Sequence, residues 1–148
     1  MDQSNYNRNE NLKLIKRWVD AANAHDPVLI GETLGDDYEY VFGVSTIKGR
    51  QEDMEDWKIF FEAFPDMNLE VQQTIADEDS VAVRIRMTGT QKGTFKFVTA
   101  QNITELISAS SKKIDIPMCS FYRIEDGKII QLHRYFDTAK LLNQLGVS

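Results

Sequence analysis

The stretch from Ile114 to Gly146, IDIPMCSFYRIEDGKIIQLHRYFDTAKLLNQLG, decides the fold of this 148-residue chain. Two runs that alternate apolar and polar residues flank Asp126-Gly127, one of the strongest short signals for a two-residue hairpin turn. With that pair at the centre of the turn, Glu125 faces Lys128 and the partners farther out follow in step. Ile124 then opposes Ile129, Tyr122 opposes Gln131, Ser120 opposes His133, Met118 opposes Tyr135 and Ile116 opposes Asp137, all on one face because strand side chains alternate. That face mixes polar tips with apolar walls and is expected to line a pocket. The other face gathers Cys119, Phe121, Leu132 and Phe136 with Arg123 and Arg134 at its margins, and is expected to join two copies of the chain into a homodimer. After the hairpin, Thr138 to Gln144 reads as a short terminal helix.

Upstream of the hairpin the pattern divides into helices and then strands. Residues 1–7 are expected to be disordered, with Asn7 and Glu10 forming a capping box at the start of a helix that runs to about Ala24. Leu12, Ile15, Trp18, Val19 and Ala22 make its apolar stripe. Asp26-Pro27 pairs a good cap with a proline suited to a first helical turn, predicting a short helix over 28–33 that Gly35 ends. Tyr38, Tyr40 and Phe42 alternate as a strand. A third helix over 50–64 presents Met54, Trp57, Phe60, Phe61 and Phe64, and Pro65 ends it. From Met67 the period changes to two, with strands around Leu69 to Val71 and Val81 to Met87 joined by the acidic turn Asp77-Glu78-Asp79, and further strand pattern over 101–108 and 113–125. Helices followed by a meander predict one α+β domain over 8–148, its N-terminal helices packed on a strongly curved, mostly antiparallel sheet.

Composition removes several function classes. A net charge of −6, with the 17 Lys and Arg residues scattered, argues against nucleic acid as a partner. No apolar run approaches the roughly 20 residues of a membrane helix, and the polar N-terminus lacks a signal-peptide pattern, so a soluble cytoplasmic protein is expected. The single cysteine, Cys119, allows no internal disulfide, and with only His25 and His133 beside it no metal site is expected.

The candidate site residues follow from the predicted pocket face. His133 and Asp137 are four residues apart on one strand, roughly 13 Å at about 3.3 Å per residue, so they form no direct dyad. Asp137 immediately precedes the terminal helix, and local chemistry favours it as that helix's cap. Thr138 could fill the same role, which would leave the Asp137 carboxylate to the pocket. Tyr135, Met118, Ser120 and Tyr122 share its predicted face. The aromatic third helix, through Trp57, Phe60 and Phe61, is a candidate wall along with Trp18, although such a stripe is core before it is a ligand cage.

Taken in order, Ala22-Asn23-Ala24-His25-Asp26, Phe64-Pro65-Asp66-Met67, Thr88-Gly89-Thr90 with Gly93, Tyr122 to Ile129, Asp137 and Gln144-Leu145-Gly146 resemble the SnoaL-like proteins. These are the polyketide cyclase and ester cyclase group of the nuclear transport factor 2-like cone fold, and the resemblance runs nearly end to end. It implies a cone-shaped barrel around an internal apolar pocket, in a dimer. It also implies that Asp137 acts as acid and base in an intramolecular aldol closure, without cofactor or metal, with His133, Tyr135 or Tyr122 as hydrogen-bond donors to the enolate oxygen. Burial suits a carboxylate to that task by raising its pKa towards neutrality. Two departures stand out. Gln91 occupies a position where many relatives carry histidine, and the segment 94–102 lacks their Pro-Thr-Gly run, so the pocket mouth is expected to suit a different ligand. The expected activity is therefore cyclase-like or isomerase-like acid/base chemistry on a small apolar carbonyl compound; the alternative is a dimeric ligand-binding module with the same cone and no turnover.

Overall fold

The computed structural model describes residues 3–98 and 101–147. Three helices come first, α1 (Gln3–Asn23), α2 (Pro27–Glu32) and α3 (Arg50–Ala63), the last following the strands β1 (Leu34–Phe42) and β2 (Ser45–Lys48). The strands β3 (Asn68–Ala76), β4 (Ser80–Thr90), β5 (Phe95–Val98), β6 (Thr104–Ile107), β7 (Lys113–Glu125) and β8 (Lys128–Phe136) follow, and α4 (Thr138–Gln144) ends the chain. Six strands form one sheet in the order β2-β1-β8-β7-β4-β3, antiparallel except where β1 runs parallel to β8. The short hairpin β5-β6 stands apart. This is the expected α+β cone, with the core between the helices and the inner face of the sheet. Among the described residues no helix is long and apolar enough to cross a membrane.

The N-terminus departs from expectation. Of residues 1–7, expected to be disordered, 1 and 2 lie outside the described residues and 3–7 are helical; Asn7, expected in a capping box, lies inside α1 and accepts a hydrogen bond from Gln3 Nε2 at 2.9 Å. An Arg8–Asn5 hydrogen bond and an Arg8–Asp77 ion pair brace this first stretch. Asp26 caps α2 as read, accepting from the amides of Val28 and Leu29. Gly35, read as that helix's end, belongs to β1.

The landmarks of the resemblance hold the fold together. Asn23 pairs with Leu69 as a strand residue would, donating from Nδ2 to its carbonyl and accepting from its amide, and so docks the end of α1 on β3. His25, at φ 54°, stacks on Phe61 and shares a 2.7 Å hydrogen bond with the Met67 carbonyl oxygen. The Asp66 carboxylate accepts from both the amide and the hydroxyl of Thr90, which holds its pKa below the usual range. Gly93 is required by close approach, because a Cβ there would stand 2.9 Å from the Glu62 carbonyl oxygen.

The hairpin itself contains the main correction. Asp126 and Gly127 both adopt positive φ, and Glu125 and Ile124 pair with Lys128 and Ile129 as expected. Beyond that point β8 carries one extra residue: Arg123 pairs with Gln131, leaving Ile130 bulged. A bulge inverts the alternation of every residue after it. Phe121 therefore faces His133, Ser120 faces Arg134 and Met118 faces Phe136. The β1 side is irregular at the same point: four residues of β1, 35–38, pass against one of β8, and a Cβ on Gly35 would lie 3.2 Å from Ile130 Cγ2.

Candidate functional site

The cone encloses a pocket of about 650 Å³, the size of a small-molecule site, between α3, β1, the inner sheet face and the β5-β6 hairpin. Trp57, Phe60, Phe64, Phe95 and Phe97 form an aromatic wall, with Ile114, Met118 and Leu132 opposite. Phe42 and Phe136, both in the lining, stack on each other face to face at 4.6 Å between ring centres.

Two charged groups stand in the buried part of this lining. Asp53 comes from the first turns of α3, where it lies one helical turn before Trp57 and two before Phe60, on the stripe that faces the core. It is 3% exposed, and its Oδ2 has no hydrogen-bond partner. Burial, reinforced by the neighbouring Asp56 and opposed by Arg134, pushes its carboxyl up to about 7. Asp56, nearer the rim with Glu52 and Lys96, is also raised, again by burial foremost.

Arg134 is the second charged group, 8% exposed. It is delivered inward by the bulge at Ile130 and enters the lining between Tyr40 and Trp18, whose rings it overlies at 5.5 and 5.7 Å. Its Nε donates to Ser120 Oγ at 3.2 Å. Although burial works against its charge, the phenols of Tyr40, Tyr122 and Tyr38 around it favour the cation, and its pKa stands above the ordinary value. The same burial pushes the hydroxyls of Tyr38 and Tyr40 up, and that of Tyr122 to about 12, so all three remain protonated donors at neutral pH.

The expected site residues separate accordingly. Asp137 does not face the pocket. It is exposed and caps α4, accepting from the Lys140 amide at 3.1 Å. His133 and Tyr135 lie on the outer face of the sheet, Tyr135 edge-on to Phe121. Leu132 and Phe136, assigned to the outer face, line the pocket instead, leaving Cys119 and Phe121 on that face. The half-turn between the two assignments is the bulge. Trp57, Phe60 and Met118 are in the pocket lining. Trp18 and Tyr122 are fully buried beneath Arg134, edge-on to each other, and Ser120 is its acceptor. Phe61 turns away to stack on His25.

Gln91 is buried outside the pocket and is occupied structurally, donating to the carbonyls of Gly93 and Ile107 and accepting from Ser110 Oγ. Of the segment 94–102, Phe95, Lys96, Phe97, Val98 and Asn102 line the mouth, while residues 99 and 100 lie outside the described residues. Among the described residues no three His, Cys, Asp or Glu side chains gather as metal ligands. The sequence carried one legible sign of Asp53, a carboxylate in phase with an aromatic stripe.

Residues 15–132, most of the chain, match the family model of the SnoaL-like domain. No curated protein matches significantly. Among solved structures, a candidate SnoaL-like polyketide cyclase from Jannaschia sp. CCS1 superposes with a TM-score of 0.81 at 19% identity, covering 95% of this chain and 94% of that one. AclR, a candidate hydroxylase from Streptomyces galilaeus, gives 0.78 at 24%, covering 94% and 82%. An LEH-like epoxide hydrolase from M. tuberculosis gives 0.71 at 18%, covering 93% and 90%. At these identities the structural likenesses show the fold alone.

Proposed function

The chain belongs to the SnoaL-like family, and from that premise we propose that it is a cyclase-like or isomerase-like enzyme acting on a small apolar carbonyl compound, with Asp53 as the proton carrier. One observation carries the reading: a carboxyl group buried in an apolar pocket, unpartnered at Oδ2 and with a pKa of about 7. Near neutral pH such a group is present in both forms and can take a proton and return it. In the proposed reaction, Asp53 Oδ2 removes a proton from the carbon beside the substrate carbonyl. The C–H electron pair moves into a new C=C bond and the carbonyl pair onto oxygen, where the protonated hydroxyls of Tyr38 and Tyr40 receive the enolate. The enolate carbon then either attacks a second carbonyl of the same molecule or the enolate is reprotonated by Asp53 at another position. Asp137, exposed and engaged with Lys140, has no part in this scheme.

The test uses methyl 2-naphthyl ketone in deuterated buffer, following loss of its methyl proton signal by NMR. The protein is expected to accelerate exchange, with a pH profile that inflects near 7. Asp53→Asn is expected to lose about a hundredfold or more, the lower range of general acid/base contributions, while Asp137→Asn exchanges at the wild-type rate. Binding of the ketone without exchange would refute the enzyme reading in favour of a ligand-binding module, and undiminished exchange in Asp53→Asn would remove Asp53.

A further inference from the structure

Beneath the pocket lining the structure has an excess of donors. Arg134 Nη2, Trp18 Nε1 and Tyr122 Oη are each buried without a hydrogen bond of good geometry, and the guanidinium has only the neutral hydroxyls of Tyr40 and Tyr122 as further weak partners. They belong to one cluster, since the Trp18 ring is 5.3 Å from that of Tyr122 and 5.7 Å from the guanidinium. Buried donors are nearly always paired, so three together mark a place where an acceptor belongs. The acceptors present, Ser120 Oγ at 3.2 Å from Nε and the phenol oxygens of Tyr40 and Tyr122, are all neutral hydroxyls, and none supplies a negative charge. Arg134 also lacks a counterion: it makes no ion pair within 4 Å, and the ion pairs of the described residues all lie elsewhere. A buried charge without a partner is strongly unfavourable, and Arg134 is the member of the cluster that lines the cavity.

We propose that the ligand carries a carboxylate as well as its apolar ring system, and that Arg134 receives that carboxylate at the floor of the pocket. The guanidinium fork suits a two-oxygen anion better than a single carbonyl. Contact with the rings of Tyr40 and Trp18 helps to hold the fork in place, and the aromatic wall from Trp57 to Phe97 receives flat apolar groups. The substrate class is thus an aryl keto acid or a similar aromatic acid; this deepens the reading above and rests on its pocket, but not on turnover.

Recognition of an anion here is linked to a proton. The groups facing the site are Asp53 and Asp56 of α3, Tyr38 and Tyr40 of β1, Ser120 and Tyr122 of β7, and Lys96, Glu52 and Glu55 in the outer lining. Burial keeps the three phenols neutral near pH 7; Asp56 is raised as well, and Asp53, pushed up to about 7, is the buried group whose charge changes there. Its ionised form repels a bound carboxylate and its protonated form does not.

The experiment compares 2-naphthoate with methyl 2-naphthyl ketone, which have the same ring system with and without the charge, by quenching of tryptophan fluorescence in the full chain. At pH 6 naphthoate is expected to bind about ten- to a hundredfold more tightly, the equivalent of one charge-assisted pair. The advantage is expected to shrink as the pH rises from 6 to 8, by up to about tenfold per pH unit above 7. Arg134→Gln should abolish the preference of naphthoate over ketone, and Arg134→Lys should keep part of it. Equal affinities for the two probes in the wild type, which needs no variant to fold, would overturn the proposal. So would a naphthoate preference that survives Arg134→Gln. Proton exchange of the ketone, read separately, stands or falls with Asp53 whichever way the naphthoate comparison goes.

Discussion

Replacing Asp53 by Asn tests the electrostatics of the pocket through stability alone. The substitution keeps the side chain's shape and removes its ability to ionise. In the folded chain the carboxyl titrates at about 7, against an ordinary 3.8, because burial at 3% exposure opposes its charge. The folded state therefore holds this proton more tightly than the unfolded chain does. Below the unfolded pKa both states are protonated and the aspartate carries no penalty. Between roughly pH 4 and 7 the wild type loses stability as the pH rises, and above 7 the loss is complete. A difference of roughly three pH units corresponds to about 4 kcal/mol at ~1.4 kcal/mol per unit. Asp53→Asn escapes that loss. Its stability relative to wild type should thus be nearly unchanged at pH 4 and about 4 kcal/mol higher at pH 8, with most of the change between pH 5 and 7. Urea unfolding followed by far-UV circular dichroism at each pH measures it, and other titrating groups largely cancel in the difference. Repulsion from Asp56 is one cause of the raised Asp53 value, so its relief in Asp53→Asn is already contained in the difference of about 4 kcal/mol. A wild-type-to-variant difference that is flat from pH 4 to pH 8 would refute the argument, since it would mean that Asp53 ionises as readily in the pocket as in water.

Two further predictions concern the frame around the site. Asp137→Ala removes the α4 cap and is expected to lower stability by about 1 kcal/mol in urea titration while leaving naphthoate affinity within about twofold; a large loss of binding with intact folding would return Asp137 to the site. Gly93→Ala places a methyl 2.9 Å from the Glu62 carbonyl oxygen, a backbone atom with little room to yield, and should cost about 1 to 3 kcal/mol by the same measurement.

Much of the frame could be read because its signals are local. Asp126-Gly127 demands positive φ at two consecutive residues, Asp26-Pro27 fixes a helix start, and the stripe from Met54 to Phe64 needs only helical period to reveal a buried face. The site could not be read in the same way. Whether β8 shows His133 or Arg134 to the pocket depends on Ile130, and that residue is bulged where it meets β1 and Gly35, residues almost a hundred positions away. Strict alternation from the turn gave the wrong face for everything beyond Ile129. Asp53 was obscured differently. An acidic residue in the first turn of a helix is accounted for by the helix dipole alone, and nothing local says that the sheet will close over it.

The bulge at Ile130 bears on how such a pocket can diversify. Along β8 the chain carries two interleaved sets of side chains, Leu132, Arg134 and Phe136 in one and His133 and Tyr135 in the other, and the offset at a single residue selects between them. In a lineage where the irregularity moved from residue 130 to the far end of the strand, the second set would face the cavity and the first would face outward, with no replacement at any lining position. Pocket chemistry could then change in one step from a guanidinium to an imidazole and a phenol. Relatives whose sequences align without gaps along this strand can on that account differ in which residues meet the ligand, and matching column by column would miss it.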